Sequence, residues 1–243
     1  MAGCPLDGER ELSPDVCVFA AAASTPNLVF MGTQSETYLL VMLALRLKGF
    51  GEVEVVASVH GLELDATSAV LAELTDAEFV QGREVDGSMK YVLTSEGRAR
   101  GAELLSEELD DSGNRGQLEK AYGDFLDLNV EMLTLCTDWQ IVGHGSDDQR
   151  INDHTDEDYD QDVIGRLADL DGRLRKVLAP MRATLARFDG YPDRFRSALD
   201  RLLDGELDYF TKPILPSYHT VWFELHEDLL ATLSIDRASE GST

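Results

Sequence analysis

The dipeptide Asp86-Gly87 constrains the fold more than any other feature, because it separates two β-prone runs, Phe79 to Val85 and Ser88 to Leu93. Asp-Gly between such runs is a strong hairpin signal, since both central residues of the favoured two-residue turn take positive φ. The flanks of this hairpin read as helices. Upstream, Thr67 to Leu74 carries a helical apolar pattern, and Asp65 is expected to cap its open N-terminus. Downstream, Thr94 is expected to cap a further helix, with Glu96 in its first turn. Two more helices precede these. Leu39, Leu40, Leu43 and Leu47 stand at helical spacing in a segment from Gln34 that Gly49-Phe50-Gly51 ends, and Val53 to His60 forms a short helix closed by Gly61.

Helix, helix, helix, hairpin, helix is the order of a winged helix-turn-helix domain, placed here at residues 34–110. The run Ser68-Ala69-Val70-Leu71-Ala72-Glu73-Leu74, the Asp86-Gly87 turn and Leu93-Thr94-Ser95-Glu96-Gly97-Arg98 resemble the DNA-binding domain of MarR-type and PadR-type transcriptional regulators. The resemblance covers roughly a quarter to a third of the chain, the size of one small module. It implies that the third helix enters the major groove of double-stranded DNA while the wing touches phosphate. On that reading the DNA-binding candidates are Thr67 and Ser68 on the third helix, Arg83 and Lys90 on the wing, and Arg98 and Arg100 at the next helix start.

Charge opposes this expectation. The chain holds 46 Asp and Glu against 21 Lys and Arg, a net charge of −25, whereas phosphate binding calls for a basic footprint. Even residues 36–105 carry six cations against twelve carboxylates. Contact with DNA would have to rest on a small positive face of a negative body.

The rest of the chain reads as an all-helical domain over residues 117–236, giving a mainly α fold with one small β-hairpin wing. Residues 1–33 read as a flexible or packing N-terminal arm, and residues 237–243 as a disordered tail. Ser106 to Lys120 looks like a linker or exposed turn, with an acidic run, Gly113 and Gly116. Leu118 to Trp139 reads as one long helix with Tyr122, Phe125, Leu126, Val130, Leu133 and Cys136 on an apolar stripe. Helices of this kind build the dimer in the regulators it resembles, so a homodimer is expected; packing within the monomer is the alternative use of the stripe.

Residues 143–162 hold eight carboxylates and two histidines, His144 and His154. Counted from Asp156, a calcium loop would need Gly at the sixth place and Glu at the twelfth, and Gln161 and Leu167 stand there instead. A solvated acidic loop is expected. From Val163 to Leu203 nine cations stand against five carboxylates, and their expected use is pairing with the preceding loop. Tyr191-Pro192 is expected to break this helical run, with Phe195, Leu199 and Leu202 starting another helix.

The last helix follows Pro213 and Pro216, with Ser217 as its cap. His219 and His226 stand seven apart on it, with Glu227 adjacent, and these are the chain's metal or acid-base candidates. The zinc pattern H-E-x-x-H requires ligands four apart, and Leu230 occupies the place of the second histidine. Packing is the preferred role for this helix, with no metal and no cofactor.

This C-terminal half, through Phe125, the short motifs DWQ, NDH and YD, and SYHTVWFELHEDLL, is also similar to actinobacterial proteins labelled MarR-type regulators. No G-x-S-x-G, P-loop or dinucleotide loop supports an enzyme. No apolar run is long enough for a membrane span, and three cysteines without C-x-x-C spacing suit reduced thiols in the cytoplasm. The leading expectation is a dimeric transcriptional regulator with a helical domain that senses a small-molecule effector. A second is an acidic interaction module that contacts a basic protein; a third is an accessory protein linked to metal or phosphotransfer chemistry.

Overall fold

The computed structural model describes residues 32–236, so most of the expected arm at 1–33 and all of the tail at 237–243 lie outside the described residues. The fold is mainly helical, with one six-residue antiparallel hairpin.

Helix α1 (Thr37–Lys48) is apolar on nearly every side, with Val41 to Leu45 all buried. Such a helix needs neighbours all round, and it packs against α2 (Val53–His60), α3 (Leu64–Asp76), α4 (Ser95–Asp111) and α8 (Tyr218–Leu233). Gly61 ends α2 in the left-handed conformation, φ 64°, and returns its N–H to the Ala57 carbonyl. Helix α3 begins earlier than expected. Glu63, with extended backbone and no side-chain cap, precedes Leu64, so Asp65 lies in the first turn and is not the cap. There its charge still favours the helix dipole.

Strands β1 (Val80–Val85) and β2 (Ser88–Leu93) pair as the turn dictates, with Asp86 at φ 53° and Gly87 at φ 81°. Gly51, between α1 and α2, adds a short bridge to the β2 side: its N–H donates to Tyr91 O at 3.1 Å, and Tyr91 N–H donates to Gly51 O at 2.9 Å. Thr94 caps α4 as expected, accepting from Gly97 N–H at 3.0 Å. Gly97 is required there, because a Cβ would come within 2.0 Å of the Phe79 carbonyl oxygen.

Helix α4 runs on through Asp111, and only residues 112–114 form the turn into α5 (Arg115–Gln140). The linker expected at Ser106 to Lys120 is therefore mostly helix. A pair of two-residue strands, β3 (Ile141–Val142) and β4 (Arg150–Ile151), reverses the chain into α6 (Glu157–Thr184). Helices α5 and α6 run antiparallel along their length, joined by Arg166–Asp138, Arg173–Glu131 and Gln117 Nε2 to Pro180 O. A 3-10 turn at residues 186–190 separates α6 from α7 (Tyr191–Leu203), so the helical run is broken just before Tyr191-Pro192 and a new helix carries Phe195, Leu199 and Leu202, as expected. Pro is suited to a first turn, whose N–H groups have no helical partner.

One core gathers α1, α2, α3 and the hairpin around Met42, Leu45, Leu71 and Leu74. A larger one gathers α5 to α8 around Phe125, Leu167, Phe195 and Trp222. Leu39, Leu43, Leu47, Leu105 and Ala231 join the two along α1, α4 and α8. The backbone of Thr33 adds a strap: its N–H donates to Thr184 O and its carbonyl accepts from Ala186 N–H. Among the described residues no single helix is long and apolar enough to cross a membrane.

Candidate functional sites

The hairpin places two cations side by side. In its register Arg83 lies directly opposite Lys90, an arrangement of like charges that costs stability in a sheet. Neither has a carboxylate partner among the described residues. Lys90 Nζ sits 5.8 Å from the centre of the exposed Phe50 ring, and the two cations line a shallow apolar depression with Phe50, Val85 and Tyr91. Arg98 is exposed and likewise unpaired among the described residues. Arg100 is already engaged, at 3.1 Å from Glu103 and 3.7 Å from Glu107.

On α3 the two candidates separate. Ser68 is exposed. Thr67 is 0% exposed, and its hydroxyl donates to the Glu63 carbonyl at 2.9 Å, which removes it from any groove-reading set. The exposed surface of α3 otherwise carries Asp65, Glu73 and Asp76 with no cation.

The C-terminal candidates are not brought together as a metal site. His226 is buried against the rings of Phe125 and Tyr122, at 5.3 and 6.2 Å. His219 is half-buried beside Ile214 and Phe223 in a groove, and burial lowers its pKa. Glu227 pairs with Arg46 at 3.0 Å. Among the described residues no cluster of three His, Cys, Asp or Glu could hold a metal ion. Burial pushes the Cys136 thiol up to about 12, leaving it little thiolate at neutral pH; Cys4 and Cys17 lie outside the described residues.

The long stripe on α5 divides. Tyr122 and Phe125 are buried within the chain against α6 and α8, whereas Val130 and Leu133 are 69% and 49% exposed. The stripe thus has partners inside the monomer, and only its outer edge is open. The acidic segment is largely solvated, as expected, with seven of its eight carboxylates exposed and Asp160 the buried exception. Buried Asn152 donates to Trp139 O at 3.1 Å and to Asp160 Oδ1 at 2.8 Å, and His154 Nδ1 lies 3.0 Å from Asp160 Oδ2.

A polar seam between the two halves is what the sequence least revealed. Of the cations at 163–203, Arg166, Arg173, Arg187 and Arg194 pair with other helices, Arg175, Arg182, Arg196 and Arg201 pair close by in sequence, and among the described residues only Arg166 meets the acidic segment, at Asp162 one turn away on α6. Arg187, almost wholly buried, donates through Nε to Asp228 at 3.4 Å and through Nη2 to Thr232 at 2.6 Å, and it also pairs with Glu108. Tyr191 donates its hydroxyl to Asp228 at 3.1 Å. Glu224, equally buried, lies between Lys48 Nζ at 2.6 Å and Arg194. Charges in such surroundings persist only when paired. Beside them burial pulls His60 down to about 4, and its Nε2 has no hydrogen-bond partner among the described residues. The sequence signal was Glu224 and Asp228, one turn apart on a helix otherwise apolar on that side.

Compared with protein-family models, curated proteins and solved structures, the chain finds no match.

Proposed function

We propose that residues 34–110 form a winged helix and that the protein is a DNA-binding transcriptional regulator. The observation that carries this reading is the pair Arg83 and Lys90, held opposite one another at the hairpin with no carboxylate among the described residues to neutralise them. The bridge from Gly51 to Tyr91 supports the fold assignment, because it ties the α1–α2 connection to the wing. Arg98 extends the cationic set; Arg100, bound to its own helix, contributes less. Ser68 is the candidate left on α3, so affinity comes mainly from phosphate contacts. A homodimer fits this reading, with Leu126, Val130 and Leu133 on the outer edge of α5 as the contact.

The test is fluorescence anisotropy on promoter duplexes at several salt concentrations, with sedimentation to give the number of chains bound. Each phosphate contact adds about −0.9 to the slope of log K against log salt. Removing two contacts per chain in a dimer with Arg83→Ala and Lys90→Ala therefore flattens the slope by about 3–4. Absence of binding at low salt by the unaltered chain defeats the reading.

The acid face of α3, Asp65, Glu73 and Asp76, favours one alternative: a module that contacts a basic protein surface. Charge reversal at Glu73 and Asp76 separates the two, strengthening DNA binding in the first case and abolishing partner binding in the second.

A further inference from the structure

Between the C-terminal end of α2 and the corner that leads into α7 lies a cavity of about 420 Å³. Its walls come from residues 34–35, Leu40 on α1, residues 58–61, and residues 186–194. Arg187 and Arg194 both line it, yet none of their carboxylate partners, Glu108, Asp228 and Glu224, does. The carboxylate on the wall is Asp189, which is turned to Arg182 at 2.6 Å. In a protein of net charge −25, this concavity is therefore lined by cations whose counter-charges lie behind the wall; Arg187 is spent on its own partners, and Arg194 is the cation left to face the space.

Two donors on the wall are uncommitted. Arg194 gives a hydrogen bond to Glu224 and stacks over the Tyr191 ring at 5.3 Å, leaving most of its five N–H groups without a protein partner among the described residues. His60 Nε2 is buried and unpartnered, a condition that buried polar atoms rarely keep. Leu40 and Val59 supply an apolar side.

We infer that this cavity binds a small organic carboxylate, whose anionic end accepts from His60 Nε2–H and the Arg194 guanidinium and whose apolar body lies against Leu40 and Val59. An amine would face the Arg194 guanidinium, and a neutral molecule would leave its remaining N–H groups unanswered. The site is independent of the DNA reading. An occupant ties the end of α2, just before α3, to the corner of the helical half.

Benzoate is the probe, with benzamide as its uncharged isostere and inorganic phosphate as an oxyanion without an apolar body. Each is titrated, in the absence of DNA, into the full chain carrying ¹⁵N-labelled histidine, and the ring nitrogens are followed by NMR. The expected result is saturable movement of the His60 Nε2 resonance by benzoate, with benzamide weaker by about tenfold or more, the size of one lost charge-assisted hydrogen bond. His60→Leu weakens benzoate by about the same factor, read by calorimetry. Ser58→Phe plugs the mouth from an exposed position and abolishes binding while the thermal midpoint is kept, which covers the case in which the His60 variant does not fold. Equal binding of benzoate and benzamide, binding of phosphate alone, or no movement of His60 at millimolar benzoate overturns the inference.

Discussion

Arg187→Met tests whether the seam between the halves is held by a buried ion network. The guanidinium is almost wholly enclosed and faces Asp228, which is 0% exposed, and Glu108 at the edge. Removing one partner of a buried pair costs about 3–5 kcal/mol, because an uncompensated charge remains inside. The structure argues for the lower part of that range. Asp228 retains two hydroxyl donors, Tyr191 at 3.1 Å and Thr232 at 3.1 Å, which offset part of the charge left behind. A loss of about 3–4 kcal/mol is expected, and at about 2–4 °C per kcal/mol for a chain of this size the thermal midpoint falls by roughly 6–16 °C. Urea unfolding followed by the fluorescence of Trp139 and Trp222, both buried in the larger core, measures it. The double variant Arg187→Met with Asp228→Leu removes both charges and should recover about half of the loss, since an apolar replacement of a buried pair is often neutral. A single-variant cost below about 1 kcal/mol, or a double variant whose loss equals the sum of the singles, refutes the reasoning.

Two further outcomes follow from local geometry. His60 has a folded pKa of about 4 against 6.5 ordinarily, with Asp228, Glu224, Arg187 and Arg194 around it. The unfolded state therefore binds the proton more readily, so stability is intact above pH 6.5 and is lost as pH falls towards 4, by about 3 kcal/mol in the limit. Urea midpoints between pH 7 and 4 should show this decline, and His60→Leu should remove most of it; an unchanged decline in the variant would exclude His60 as its source. Gly97→Ala should cost more than about 2 kcal/mol, because the new Cβ meets the Phe79 carbonyl oxygen at 2.0 Å, whereas Thr94→Ala should cost about 1 kcal/mol through the lost cap; chemical denaturation that ranks them in the reverse order contradicts the packing described for the α4 start.

What the sequence disclosed and what it hid follow from the range of the forces involved. Gly61, Thr94, Ser217 and Asp86-Gly87 act within three or four residues, so their roles are legible from neighbours, and each is seen in the structure. Asp65 misled because α3 starts without any side-chain cap, and Thr67 because a hydroxyl that donates to the carbonyl one turn back can be buried without leaving a polar group unsatisfied. The fate of Arg100 was readable after all, since Glu103 and Glu107 stand one and two turns along the same helix. Arg187 was not, because its charge is answered from residues 41 and 79 positions away, and no periodicity reports a partner on another helix. The same holds for the cavity, whose walls are segments distant in sequence that only the tertiary fold brings together. The hairpin cations lie between these extremes. A two-residue turn at Asp86-Gly87 sets Val85 against Ser88, and counting outward along both strands sets Arg83 against Lys90. Their opposition is thus a consequence of the turn chemistry, and the stability it costs is offset by no carboxylate among the described residues, which is the physical reason for the proposal that these two residues meet an external anion.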